Sequence, residues 1–469
     1  MPAARPLALS VLLLCASAAG AQDPDPGSDP GAVAADLLDA YEDAYGFSGV
    51  ALVVAGDSVV YEGARGLADR ALGVPNRPDL RFPVNSVSKT FAAAAALALV
   101  ADGALDLDAP VAAYLPDLDA PWAGRVTAHH LLSHTSGLPR EFELAWHEAP
   151  ALAEQARRVA RQELRFEPGA EYGYSNAGYA LLGHLVEAVA GLPYPTYLRD
   201  RVLRSAGLGD TGVLTGGAVV EDVVRPYAMG PRGVAEPPRG KHRGVNAGGG
   251  LYSTAADLRR WALALEDGSV LPDSLQALLF TAHAEEGGPD DLAGYGWALK
   301  RSGGATFRMA AGSGNGTKSA VLRDPESGVF VAVLSNWADV PVLDLLRDLL
   351  LAATGAPVEP PTAAGLADPA DYAGALGTYA FEPGALGAAL GVEADEVSVV
   401  GAGGRVYLAS EGGSASVLRA TEGGGLALSY TDELEISFEE GESGGADRIT
   451  IRVDGRELVG RRARNGDGP

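Results

Sequence analysis

A chain of 469 residues is long enough for two or three domains and a large buried core. Its formal net charge of −25 excludes nucleic acid and anionic membrane as partners and reads as a highly soluble acidic surface. The one cysteine, Cys15, falls in an N-terminal stretch that reads as a secretion signal, so the mature chain should have no disulfide, thiol nucleophile or cysteine–zinc site. In that signal Arg5 supplies the positive region, Leu7 to Leu14 the apolar run and Ala19-Gly20-Ala21 the cleavage site, which places the mature start near Gln22. The expected location is therefore periplasmic or extracellular. A lipid anchor on Cys15 is the weaker alternative, because bulky Leu14 precedes it. No other run approaches the roughly 18 apolar residues of a membrane span, so membrane insertion is not expected.

Beyond a Pro/Asp/Gly-rich leader, Val33 to Tyr45 has the pattern of an amphipathic helix. Gly49 to Val54 and Ser58 to Ala64, joined by Ala55-Gly56-Asp57, read as a β-hairpin. Next comes Arg81-Phe82-Pro83-Val84-Asn85-Ser86-Val87-Ser88-Lys89-Thr90-Phe91. The run from Phe91 to Val100 is apolar nearly all round, which predicts a helix buried in the core. Ser86 and Lys89, three apart, fall on one helical face, one turn from each other. This S-x-x-K spacing brings a hydroxyl nucleophile beside an amine that can serve as its base. An N-cap serine followed by a solvated lysine would look the same. Lysine is scarce, however. The chain holds only Lys89, Lys241, Lys300 and Lys318, with the other 32 of 36 basic residues being Arg, which cannot release a proton.

His129, His130 and His134 lie close together but have no acidic or cysteine ligand at zinc-like spacing, and each is expected to satisfy local hydrogen bonds. Tyr172 to Tyr179 opens an amphipathic helix that runs to about Ala190. Tyr174 and Asn176, two apart in the irregular entry to that helix, can both point into a cleft, where a phenol beside a lysine is a candidate general base. Taken alone, the pair reads equally as a core tyrosine and a capping Asn. Gly248-Gly249-Gly250 lacks the Gly-Lys-Ser/Thr ending of a phosphate loop and reads as a tight turn, with a helix entered at Ser253 or Thr254. Phe307 to Gly316, Lys318 to Leu322 and Val329 to Asn336 are expected strands, and Val340 to Ala353 a helix, which together suggest an α/β layered domain. Thr354 to Ala370 is Pro/Ala-rich and reads as a linker. Six short alternating strands follow between Val397 and Val453, the pattern of an all-β sandwich or barrel. Gly441-Glu442-Ser443-Gly444-Gly445 matches a nucleophile elbow, but no helix follows it.

The order of these motifs resembles the serine β-lactamase-like family, which includes class C β-lactamases, D-Ala-D-Ala carboxypeptidases, D-aminopeptidases and esterases. The stretches that carry the resemblance are Phe82 to Phe91, His130 to Pro139, Phe166 to Leu182, Gly248 to Asp257 and Asp324-Pro325 through Asn336. The resemblance implies a central antiparallel sheet flanked by helices, with a helical subdomain, followed by a lipocalin-like C-terminal β domain. With the leader pattern and the Pro/Ala-rich stretch, the expected boundaries are residues 1–21 for the signal, 22–355 for the hydrolase, 356–370 for the linker and 371–469 for the β domain. The resemblance makes Ser86 the nucleophile, Lys89 its deprotonating partner and Tyr174 a partner in the base role that also protonates the leaving group. Asn176 would hydrogen-bond the substrate, and the backbone N–H groups of Ser86 and Ser313 would form the oxyanion hole. No metal or cofactor is implied, and the substrate would be a small molecule or peptide. The third motif of the family, usually Lys-Thr-Gly or His-Thr-Gly, falls on Ala310-Ala311-Gly312 and lacks the group that holds a substrate carboxylate. That departure ranks esterase ahead of peptidase and β-lactam hydrolysis last, and it leaves open a non-catalytic binding or sensing protein on the same fold. Arg308 or Lys318 could replace the missing group if either points into the cleft.

Overall fold

The computed structural model describes residues 29–463, apart from 145–147, 216–218, 238–244, 391–393, 411–414, 422, 430–433, 442–444 and 454. The expected signal with Cys15, and the centre of the Gly441 to Gly445 elbow match, lie outside the described residues. Helix α1 (Pro30–Tyr45) starts on the Asp29 carboxylate and stops at Gly46, whose φ of 71° is left-handed. Strands β1 (Gly49–Ala55) and β2 (Ser58–Arg65) form the expected hairpin. Helix α2 (Ser88–Ala101) is buried from Ser88 to Leu99, and helix α3 (Asn176–Ala190) packs against it. Small Ala92 to Ala96 allow that close approach, while Phe91 stacks on Trp261 with ring centroids 4.2 Å apart.

Six further strands complete one sheet: β3 (Ala284–Gly288), β4 (Asp291–Ala293), β5 (Ala298–Ser302), β6 (Ala305–Gly314), β7 (Thr317–Arg323) and β8 (Phe330–Ser335). The order is β3-β4-β5-β6-β7-β8-β1-β2, antiparallel throughout. Strand alternation sorts the side chains into two apolar layers. Val50, Leu52, Val54, Ala310, Val321, Ala332 and Leu334 face α2 and α3. Ala51, Val53, Ala320, Leu322, Val331 and Val333 face α1 and the last helix of this part, α4 (Val342–Ala353).

The remaining strands close a barrel: β9 (Gly377–Ala380), β10 (Glu396–Ala402), β11 (Arg405–Ser410), β12 (Ser416–Ala420), β13 (Leu426–Leu428), β14 (Leu434–Glu440), β15 (Ala446–Val453) and β16 (Arg456–Arg462). Its interior is filled by Tyr379, Val399, Leu418, Leu426, Ile436, Ile449 and Ile451, as expected of a small barrel whose inward positions are packed. On β11, Val406 and Leu408 point into that interior. Tyr407 and Ala409, on the opposite side of the same strand, join the layer beneath α1 and α4, as do Ala415 and Val417. Arg405 donates to the carbonyls of Glu42, Asp43 and Ala44 at the C-terminal end of α1, with distances of 2.9 Å to Glu42 and 3.1 Å to Ala44. Within the stretch read as a linker, the Ala367 N–H donates to the Leu418 carbonyl at 3.0 Å, so its last part is tied to β12.

Candidate active site

Ser86 sits in one 3₁₀ turn, Asn85–Val87, immediately ahead of α2. The approach is set by the short strand Phe82–Pro83, paired with Leu251–Ser253. Asn85 then takes a left-handed φ of 49°, which Asn tolerates better than most residues, and its Nδ2 donates to Thr317 Oγ1 at 3.0 Å. The turn thus leaves Ser86 at the positive end of a long buried helix.

Two groups reach the Ser86 hydroxyl. Tyr174 OH donates to Ser86 Oγ at 2.9 Å, and Lys89 Nζ lies 3.2 Å from it. Lys89 is only 2 % exposed, so its amine must be satisfied internally. Its Nζ donates to the Gly248 carbonyl at 2.7 Å and to Asn176 Oδ1 at 2.8 Å. With those two directions fixed, the third direction of the tetrahedral nitrogen meets Ser86 Oγ. The amine also lies 4.9 Å from the centre of the Tyr174 ring and 5.4 Å from that of Tyr179.

Tyr174 and Asn176 are placed by the entry to α3. Ser175 caps that helix by accepting from the Gly178 N–H at 2.8 Å, and its hydroxyl donates to the Pro139 carbonyl at 2.7 Å. The Asn176 N–H donates to the Arg140 carbonyl at 2.7 Å. Its side-chain amide is engaged at both ends. Oδ1 receives Lys89, and Nδ2 donates to Glu141 Oε1 at 2.6 Å.

The opposite wall of the cleft is β6. Gly312 comes so near the serine turn that a Cβ there would stand 2.4 Å from the Val84 carbonyl oxygen and 2.8 Å from Ser86 N. Ser319 Oγ, across the sheet from Gly312, donates to the same Val84 carbonyl at 2.7 Å. Ser313 follows Gly312 and is exposed, opposite Lys318. Ala310 is buried in the layer facing α2. Neither proposed substitute for the missing third-motif group reaches the cleft. Arg308 donates to Glu266 Oε1 at 3.0 Å and lies over the Phe280 ring, 3.7 Å from its centroid. Lys318 alternates with site-facing Ser319, so it points to the far side of the sheet, where burial depresses its pKa and the Asp339 charge partly restores it.

The structure thus brings Ser86, Lys89, Tyr174, Asn176 and Gly312 together, with Ala310 and Ser313 on the adjoining strand. Three contributors were not singled out in the sequence. The Gly248 carbonyl comes from the loop read as a turn, and a run of three glycines beside a strand is a signal for close backbone approach. Glu141 had no signal beyond its place just after the Thr-Ser-Gly-Leu-Pro turn. His134 was one of three clustered histidines, which here have separate tasks. His130 Nδ1 accepts from the Thr127 N–H at 3.2 Å, His129 Nδ1 pairs with Tyr295 OH at 2.6 Å, and His134 Nδ1 accepts from the Ser175 N–H at 3.1 Å. Among the described residues no three His, Cys, Asp or Glu side chains gather as metal ligands.

The family model described as Beta-lactamase matches residues 34–356, more than half of the chain. The chain belongs to the β-lactamase family. Among curated relatives, Penicillin-binding protein 4 of Amycolatopsis lactamdurans is 32% identical over 379 residues, which cover 75% of this chain and 97% of that protein. Esterase EstB of Burkholderia gladioli is 32% identical over 324 residues, covering 59% of this chain and 76% of that one. Among solved structures, D-amino acid amidase from Ochrobactrum anthropi complexed with L-phenylalanine amide superposes with a TM-score of 0.61 at 27% identity, over 70% of this chain and 99% of that one. As an enzyme, this chain is therefore a serine hydrolase of the β-lactamase family. Among the described residues no helix is long and apolar enough to cross a membrane.

Proposed function

We propose that the chain hydrolyses esters or amides through an acyl-enzyme on Ser86, with substrates whose acyl part carries no carboxylate. The observation that carries this reading is the Ser86 hydroxyl held between Tyr174 OH at 2.9 Å and Lys89 Nζ at 3.2 Å. Ser86 Oγ attacks the carbonyl carbon while its proton passes to the Lys89 amine. The resulting oxyanion lies between the backbone N–H groups of Ser86 and Ser313. Tyr174 gives its proton to the departing oxygen or nitrogen as the bond to carbon breaks, and it is resupplied from Lys89. Water then repeats the sequence in the opposite sense and frees the acid.

The substrate class follows from charge. A carboxylate-bearing substrate would find a methyl group at Ala310 where the family usually offers a cation or imidazole, and the Glu141 carboxylate beside Asn176 repels it from the other wall. A neutral acyl group, or one bearing an amine, meets no such opposition. The activities named for the esterase and amidase relatives agree with this class. Esters rank first, amides second and β-lactams last. The leader-like segment through Ala21 supports export, which N-terminal sequencing of secreted protein would check by finding Gln22 first.

The deciding experiment is intact mass after incubation with a small fluorophosphonate, with Ser86→Ala alongside. One adduct on the wild type and none on the variant is expected. Labelling of both, or of neither, overturns the assignment of Ser86.

A further inference from the structure

His134 brackets Tyr174 along the chain. Its own carbonyl accepts the Gly173 N–H at 2.8 Å, and its Nδ1 accepts the Ser175 N–H at 3.1 Å. The residues on either side of Tyr174 are therefore both anchored to this one histidine. The imidazole also lies against the phenol ring, with centroids 4.5 Å apart and planes 31° from parallel, and Tyr179 flanks it at 5.0 Å. His134 holds a left-handed φ of 58°, a conformation that histidine adopts more readily than most residues other than glycine. It is buried, which pushes its pKa well below the ordinary imidazole range, and the charge of Arg140 pushes the same way. The ring accordingly stays neutral with its lone pair on Nδ1, as the bond from Ser175 requires.

We propose that His134 is a positioning residue for Tyr174, fixing the phenol over Ser86 Oγ by holding the backbone on both sides of it and by supporting the ring. The inference rests on the reading of Tyr174 as the group that protonates the leaving group. A displacement of about 1 Å in such a group can cost around a hundredfold in rate. That loss should fall on substrates whose leaving group needs the proton. An anilide requires protonation as it departs, whereas a p-nitrophenolate leaves without it.

The test compares His134→Ala and His134→Asn with the wild type and with Tyr174→Phe, on a p-nitrophenyl ester and on the p-nitroanilide of the same acyl group. Asn carries an acceptor two bonds beyond Cβ, as Nδ1 is, and bears a left-handed φ more readily than Ala does. For His134→Ala, kcat on the anilide should fall by about a hundredfold with KM little changed, the ester should lose far less, and His134→Asn should recover most of the anilide rate. Equal losses on both substrates, or His134→Asn no better than His134→Ala at matched melting temperature, overturns the proposal. If the alanine variant does not fold, His134→Gln takes its place in the same comparison: a loss confined to the anilide supports the proposal, and equal losses on both substrates, or no loss on either, overturns it. Wild-type rates in Tyr174→Phe would instead remove the underlying role of the tyrosine, an outcome distinct from either of these.

Discussion

The two walls of the cleft are built on opposite terms. The helical wall contributes side chains: Ser86 and Lys89 from the start of α2, Tyr174 and Asn176 from the entry to α3, bonded to one another at 2.8 to 3.2 Å. The strand wall contributes backbone, because Ala310, Ala311 and Gly312 carry no polar side chain and Gly312 lies nearly against Ser86 N. On the proposed mechanism, the groups that move protons and the groups that stabilise charge by position alone are therefore separable by substitution. A mutation on the first wall should remove chemistry, and one on the second should change geometry or selectivity.

Lys89→Met should give the largest effect. It removes the amine while keeping much of its volume, and it leaves the Gly248 carbonyl and Asn176 Oδ1 without their donor. Ester turnover should fall on the order of 10³-fold or more, with KM changing far less, as read by steady-state kinetics. Gly312→Ala probes the other wall without touching a proton-transfer group. Its Cβ would force β6 away from the serine turn, so kcat should drop by about two orders of magnitude, the typical loss for one oxyanion donor. An unchanged rate there would mean that the strand contributes nothing to the transition state.

Ala310→His sharpens the comparison by giving the strand wall a side chain. Acylation by benzylpenicillin, followed by mass, should improve by about tenfold, since a hydrogen bond to a charged group is worth about 1.5 kcal/mol or more. No gain would mean that the third motif lies elsewhere. The smallest effect concerns the reverse of that wall, where Lys318 and Asp339 lie. Burial pushes the Asp339 carboxyl up to about 7, against the Met229 and Ala415 N–H groups and the Lys318 charge. A raised carboxyl keeps its proton in the folded chain after the unfolded chain has lost it. Stability is then fully present below the ordinary Asp range and declines as pH rises towards about 7. Asp339→Asn should match the wild type in melting temperature near about pH 3 and exceed it by a few degrees near about pH 8. The same difference at both values would show that the residue does not titrate in this window.

Much of this arrangement was legible before any coordinates. The buried helix after Ser86, the hairpin from Gly49, the strand pair ahead of Asp324 and six barrel strands all carried strong periodic or turn signals. Spacing alone paired Ser86 with Lys89 and Tyr174 with Asn176, and the family resemblance of the ordered motifs is what implied one site holding them with Gly312. What escaped notice lacked a side-chain signal. Strands β3 to β5 are three of the sheet's eight, but β3 reads Ala-Glu-Glu-Gly-Gly and offers no apolar alternation, because it is an edge. Strands β9 and β16 complete the barrel, yet one is four residues long and the other is dense in charge. The Gly248 carbonyl is backbone chemistry, and the glycine run marks a close approach there without showing which group approaches. The Asn176 to Glu141 bond depends on a loop and a helix entry meeting in space, and no local pattern announces that.

The outward face of β11 has a consequence for how the molecule comes apart. Tyr407 and Ala409, with Ala415 and Val417 nearby, complete an apolar layer whose other members belong to α1, α4 and the sheet. Cutting the chain in the Pro/Ala-rich stretch would leave both pieces with that surface open to water, and would strip Arg405 from the carbonyls ending α1. Heat should meet the same coupling. The barrel cannot melt away early as an independent appendage, so it adds its own interior to the barrier that protects the cleft, and the enzyme's endurance is set partly by residues far from any substrate.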